Sequence, residues 1–398
     1  MADFRKQPVA GSLPESPRAK TISLGLTFVG VLTFVVMLFL NRERAWHAYL
    51  TGYFYVFVLA IGGLFFASIH HLTKAGWSVN VRRISESFAS YLPVAFIGGI
   101  VLLFAGSNLW DWLNPEIVSH DPLLRHKAPY LNFPFFVVRV LLFFGLWLLF
   151  SKRLVGLSVR QDITGDENLT HKTVGWSIAF LLVFAISFSL FSVDLLMSLQ
   201  PHWFSTIFGV YCFAGLFQST VATLILVALY CRKKGLLKGY VDENHLHDLG
   251  KFLFAFTIFW AYIAYSQYML IWYANLPEET IFYMPRVTGP WTWVSIFLLL
   301  FKFVVPFFAL LSRSAKRNST QLAAVSVLIL IMQYVDLYWL VYPNLTAEAV
   351  VFGLPELLIF GGFAGSFLFM VTRFLSRHPV VPIRDPRIHE SIHHHVVY

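Results

Sequence analysis

Six ionisable side chains fall in or at the start of long apolar runs of this 398-residue sequence, where a charge is costly and usually has a purpose. Arg139 lies roughly two turns into the fourth run, and Asp194 sits near the end of the fifth. Lys302 is about midway along the eighth, Asp336 in the second half of the ninth, and Lys251 and Glu356 open the seventh and tenth. Arg139 precedes Ser151 by twelve residues and Lys302 precedes Ser312 by ten, which places the two cations at similar depths. Each has a carboxylate on the next run, so Arg139 is expected to pair with Asp194 and Lys302 with Asp336. A guanidinium keeps its proton, which makes the first pair a structural brace. An amine and a carboxyl both titrate, so the second pair is a proton-relay candidate.

The seventh run adds a polar stripe. At about 100° per residue, Asp248, Lys251, Tyr262, Tyr265 and Ser266 share roughly a third of the helix circumference. Two accounts stay open. The hydroxyls pack between helices, or the stripe is a cytoplasm-facing half-channel fed by His245, His247 and Asp248, with Glu356 a further proton-path candidate. Phe252–Phe256 interrupts the stripe, so a path there needs water or other helices.

Other chemistry is poorly served. All fourteen histidines fall in loops, tails or run ends, which disfavours haem held between buried histidine pairs. His393-His394-His395 reads as a flexible tail. Cys212 and Cys231 stand at opposite ends of one run and cannot form a disulfide or an iron–sulfur site. Nucleotide-binding motifs are missing too. No residue is assigned a catalytic role and none a metal.

The elements that must position these groups are membrane helices. The chain is 57% hydrophobic and only 13% charged, with a mean hydropathy of +0.66, so lipid has to solvate most of it. The net charge of +9 is scattered over loops, which excludes a nucleic-acid face. Ten spans are expected, at about 22–40, 46–70, 88–108, 132–150, 174–197, 204–230, 251–274, 292–312, 321–342 and 352–374. The reading is an all-α integral membrane protein with a cytoplasmic tail (1–21), a ten-helix domain (22–374) and a cytoplasmic C-terminal tail (375–398). Alternate loops carry 22 Lys and Arg against five, which puts both termini in the cytoplasm. Trp110, Trp112, Trp203, Trp272, Trp291, Trp293 and Trp339 are expected as an interfacial belt on the other side. Gln161–Glu167 is a turn cluster.

Three segments resemble one family: MSLQPHWFSTIFGVY, HLHDLGKFLFAFTIFWAYIAYSQY and LIWYANLPEET. They look like the second of the two ten-helix membrane subunits (ActF-like) of bacterial alternative complex III. That complex is a quinol:electron-acceptor oxidoreductase, and its membrane subunits belong with the polysulfide-reductase-type, NrfD-like anchors. The resemblance implies two four-helix bundles, spans 2–5 and 6–9, flanked by spans 1 and 10. It also implies a bacterial plasma-membrane complex with lipid around it. The partners would be a sister ten-helix quinol-binding subunit, an iron–sulfur protein, multihaem and monohaem cytochromes c and, in some assemblies, a terminal oxidase. Haem and iron–sulfur clusters would sit on those partners. Whether a menaquinol or another quinone binds this chain stays open.

Three functions follow. The first is a cofactor-free subunit giving structural support and proton translocation to such a complex. The second is a redox-active subunit with its own quinol pocket near Arg139 and Asp194. The third is a secondary transporter, disfavoured because Pro306 and Gly98-Gly99 do not occupy matching positions in two halves.

Overall fold

The computed structural model describes residues 10–395, and among these there are helices and no strands. Ten helices are long and apolar enough to cross a membrane. We number them α1 (Pro17–Leu40), α2 (Arg42–Leu72), α3 (Gly76–Asn108), α4 (Phe133–Thr164) and α5 (Asn168–Leu199). There follow α6 (Phe208–Lys233), α7 (Glu243–Ala274), α8 (Trp291–Ala309), α9 (Ser319–Asn344) and α10 (Leu354–Arg377). The chain is a multi-pass, all-α membrane protein. Helices α2–α5 form one bundle and α6–α9 a second, while α1 and α10 pair with each other along the flank of α2 and α3.

Two helices are the most deeply buried of the ten, α2 and α6, the first of each bundle. Lipid cannot drive helices together hydrophobically, so close backbone approach matters most. Gly62 and Gly63 supply it on α2. A Cβ on Gly62 would lie 2.0 Å from Thr220 Oγ1 of α6, and one on Gly63 would lie 2.4 Å from the Ser85 carbonyl oxygen of α3. The central helix thus touches both bundles through two consecutive glycines.

The first and last described segments lie together at one end, called here the near end. The amide of Leu13 donates to the Leu375 carbonyl (2.8 Å) and that of Val380 to Gly11 (3.1 Å). These bonds tie the described start of the chain to the end of α10 and the segment after it. Ser16 caps α1, which starts at Pro17, and Leu13 is buried. At the other terminus a short helix, Ile388–Ile392, packs against the start of α3, so the described part of this tail is docked. Residues 1–9 and 396–398 lie outside the described residues.

Other boundaries move for physical reasons. Helices α4 and α5 run on through the expected 151–173 loop, leaving only Gly165–Glu167 between them, with Gly165 at φ +68° closing α4 as a left-handed cap. Ser151 is therefore inside α4 and not an exit, and the depth match built on it fails. Arg139 is six residues from the start of α4, about 9 Å in, whereas Lys302 is eleven from the start of α8, about 17 Å in. The tryptophan belt also fails. Trp110, Trp112, Trp203, Trp291 and Trp339 are buried under loops folded over the far end, and of the seven only Trp272 and Trp293 face outward.

Candidate functional site

The two bundles are filled differently. In the first, Phe57, Phe144, Trp147 and Phe191 pack with ring centroids 4.9–5.7 Å apart. Its ion pair lies above them. Arg139 Nε donates to Asp194 Oδ2 (2.7 Å) and Nη2 to Oδ1 (3.0 Å), while Nη1 reaches the Tyr130 carbonyl (3.0 Å). The guanidinium lies 4.0 Å from the Tyr130 ring centroid and 4.5 Å from that of Phe135. The expected pair is present, and every guanidinium nitrogen is engaged. Bidentate geometry with stacking is the most favourable form a buried arginine takes.

The second bundle has a polar centre. Lys302 Nζ donates to Asp336 Oδ2 (2.5 Å) and to Gln333 Oε1 (2.8 Å), and both charges are buried. The Tyr211 hydroxyl donates to Asp336 Oδ1, and Trp260 Nε1 donates to Oδ2 (3.2 Å). Lys302 also stands 4.5 Å from the Trp260 ring centroid. The backbone beneath it is unusual. Leu299–Val304 is π-helical, with the Val305 amide bonded to the Leu300 carbonyl. Pro306 explains this, because it has no N–H for the Lys302 carbonyl and its ring crowds that oxygen. Single turns of π-helix commonly mark working sites.

A polar thread runs from this centre toward the near end. Gln218 Nε2 donates to Thr257 Oγ1 (3.0 Å), and the buried Gln218 Oε1 has no partner. Gly215 lets α6 approach Gln333, since a Cβ there would meet its Oε1 at 2.8 Å. The thread lies on the buried face of α7, through Thr257, Trp260 and Gln267. The expected stripe does not follow it. Tyr262 and Tyr265 are exposed on the outer surface and Ser266 is half-buried, so these three do not line an interior channel. Charge and hydroxyls define the stripe, whereas burial follows the spacing of Leu253, Thr257, Trp260 and Gln267.

The near-end residues form their own group. Asp248 pairs with Lys251 (2.5 Å) and with His394 of the docked tail (2.6 Å), which corrects the flexible reading of that histidine. His245 Nδ1 lies 2.7 Å from Asp242 Oδ1 in the cap of α7, and its Nε2 lies 3.3 Å from Asn80 Nδ2. His247 is buried. Leu249 and Leu253 fill the buried face between Asp248 and Thr257, which are nine positions and about 13 Å of helix apart. Glu356 stands apart at the far end. It accepts from Arg44 (2.7 and 2.8 Å), Tyr342 (2.9 Å) and the Gly353 amide (2.8 Å), and so fastens α10 to α2.

Two clusters were not foreseen. Arg82 and Arg83, expected in a loop, are buried within α3. Arg83 meets Asp162 (2.5 Å) and Glu86 (3.3 Å), and Arg82 meets Asp385 of the tail. Burial pushes the Asp385 carboxyl up, but Arg82 and Arg387 outweigh it and hold the group below its usual range. The second is Arg286, fully buried between α7 and α8. Its Nε, Nη1 and Nη2 donate to the carbonyls of Trp339 (3.1 Å), Phe282 (2.5 Å) and Leu340 (3.0 Å). Burial pulls this guanidinium down to about 9, so it stays charged at neutral pH. Its signal in the sequence was being the one cation of the 275–291 loop.

No family model matches the chain, and no curated protein matches it. The functional reading rests on the geometry and on the resemblance of the three segments.

Proposed function

We propose that the chain is an integral membrane subunit of a respiratory quinol:electron-acceptor oxidoreductase of the alternative complex III kind, bracing the assembly and passing protons through its second bundle. The observation that carries the proton role is the Lys302–Asp336 pair. It is buried at mid-helix, it titrates at both ends, and it sits on π-helical backbone beside Tyr211 and Gln333. A proton passed from Lys302 to Asp336 turns the ion pair into two neutral groups, so a second protonation state is open to this pair. Arg139–Asp194 has no such second state and acts as the brace. In this reading the near end faces the cytoplasm of a bacterium. The haem and iron–sulfur partners dock at the far end, beside the sister ten-helix subunit.

The test is proton-coupled turnover of the whole complex in sealed vesicles. Lys302→Met and Asp336→Asn should each assemble, with quinol-driven proton uptake reduced at least tenfold, about 1.4 kcal/mol in the rate-limiting barrier. Normal proton-to-electron ratios in both variants would leave the pair a purely structural role.

A further inference from the structure

At the near end a cavity of about 500 Å³ opens between α1, α6 and α10, beside the 13–16 segment that leads into α1. Lys20 of α1 and Arg373 and Arg377 of α10 line it, and all three are exposed. A fourth cation, Lys234, stands 5.7 Å from the ring centroid of Tyr230, which forms the α6 wall. Among the described residues, no carboxylate pairs with Lys20, Arg373 or Arg377. Glu15 is the one carboxylate of the lining, so three cations less one anion leave its walls at +2. Arg373 and Arg377 are four positions apart on α10, a spacing at which like charges destabilise a helix unless an anion lies between them. The level of the cavity is equally specific. It lies where α1 enters its apolar run at Pro17 and α10 leaves its own at Arg377. Further inward on the same two helices, Ile22, Leu26 and Leu368 are exposed and apolar. Tyrosine and long basic side chains at such a boundary meet lipid headgroups.

We propose that this cavity binds the phosphodiester headgroup of an acidic phospholipid, whose acyl chains lie along Ile22, Leu26 and Leu368. The two guanidinium groups present forks of donors that match phosphate oxygens, and Lys20 adds a point charge from the facing helix. Ser16 accepts from the Ala19 amide (3.3 Å), which leaves its hydroxyl hydrogen free to donate to the headgroup. A zwitterionic headgroup carries its own cation into a wall that is already positive, so it is the poorer ligand. A free phosphate has the charge but no chains, and in an exposed site it gives up the apolar contacts that hold the lipid. Basic pockets between helices at a membrane surface recognise acidic headgroups in this way. The inference is independent of the proposed respiratory role, since it uses no residue of either buried pair.

The experiment uses the purified full chain in uncharged detergent, titrated with phosphatidylglycerol, phosphatidylcholine or inorganic phosphate, with bound lipid counted by native mass spectrometry. A phosphatidylglycerol carrying a diazirine in its headgroup maps the site. One phosphatidylglycerol should be retained in preference to phosphatidylcholine, with label on the segments around 13–20 and 372–377. Arg373→Gln and Arg377→Gln should each weaken retention about fivefold, the worth of one basic residue at an anionic surface. Thr372→Trp, which fills the cavity without changing its charge, should abolish it, and Glu15→Gln should tighten it. Arg160→Gln with Lys172→Gln removes two exposed near-end cations outside the cavity and should change nothing. Thermal unfolding of each variant without lipid checks that the fold is kept, and the two single arginine variants decide the matter should Thr372→Trp not fold. Equal retention of the two lipids, label elsewhere, or displacement of the lipid by inorganic phosphate would overturn the proposal. So would an equal loss in the Arg160 and Lys172 control, which would show only a diffuse positive surface.

Discussion

Arg139 with Asp194 in the first bundle and Lys302 with Asp336 in the second are both a buried cation beside a buried aspartate, yet the surroundings make them different devices. Arg139 is locked by two bonds to Asp194, one to a carbonyl and two aromatic faces, over a core of phenylalanine and tryptophan. Lys302 shares Asp336 with Tyr211 and Trp260, leans on Gln333, and rests on a helix that Pro306 has loosened. Saturation gives rigidity; shared acceptors around titratable groups give alternatives. The choice of arginine against lysine fixes the role before any neighbour is added.

The largest expected effect breaks the first pair. Arg139→Met strands the Asp194 carboxylate in a dry interior, at a cost of about 3–5 kcal/mol in unfolding free energy. Adding Asp194→Leu should recover most of the loss, since two apolar groups replace both charges. Lys302→Met should cost less than half as much, because Asp336 keeps the Tyr211 and Trp260 bonds and can take up a proton. Unfolding in detergent measures all three. Equal losses for Arg139→Met and Lys302→Met would erase the distinction between brace and relay.

A smaller effect concerns the tail that covers both bundles. Asp385 anchors it to Arg82 on α3, and His394 meets Asp248 on α7. The Asp385 carboxyl is held below its ordinary value when docked, so it favours docking at every pH above that value. The contribution is lost as pH falls through the depressed value. Protease protection of the tail should be flat from about pH 8 to 5 and decline below about pH 4. Asp385→Asn should weaken docking at neutral pH by about 1.5–3 kcal/mol, the worth of a charged hydrogen bond. Protection that declines already near pH 6 would assign the anchor to another group.

The ten spans and both pairings were legible because they rest on strong signals: apolar runs long enough for lipid, and charges that cannot stay alone within them. What was missed rests on weaker ones. Arg82 and Arg83 look like loop residues because positive charge beside a span usually marks a boundary. Their burial needed Asp162 and Asp385, 79 and 303 residues away. The inner face of α7 is marked by threonine, tryptophan and glutamine, which carry no charge, while exposed tyrosines dominated its polar pattern. The basic cavity at the near end arises from α1, α6, α10 and the segment before α1, and no local spacing reports it.

The smallest effect tests whether the polar thread is functional or only tolerated. Gln218→Leu removes one bond to Thr257, about 1 kcal/mol, but also removes a buried oxygen that has no partner. Thr257 is not stranded, because its hydroxyl donates to the Leu253 carbonyl (2.8 Å). Stability should therefore change by no more than about 1 kcal/mol in either direction. The matching change in the first bundle is Ser187→Ala. It strands the Trp147 indole N–H, which donates to Ser187 Oγ at 2.9 Å, and should cost about 1–3 kcal/mol. The two variants thus rank oppositely in stability and in function. Ser187→Ala should weaken the fold and leave proton uptake per electron unchanged, whereas Gln218→Leu should spare the fold and slow proton uptake. If Gln218→Leu instead leaves uptake untouched, protons reach Asp336 by another route, and the thread toward Thr257 is merely a polar patch that the bundle can bear.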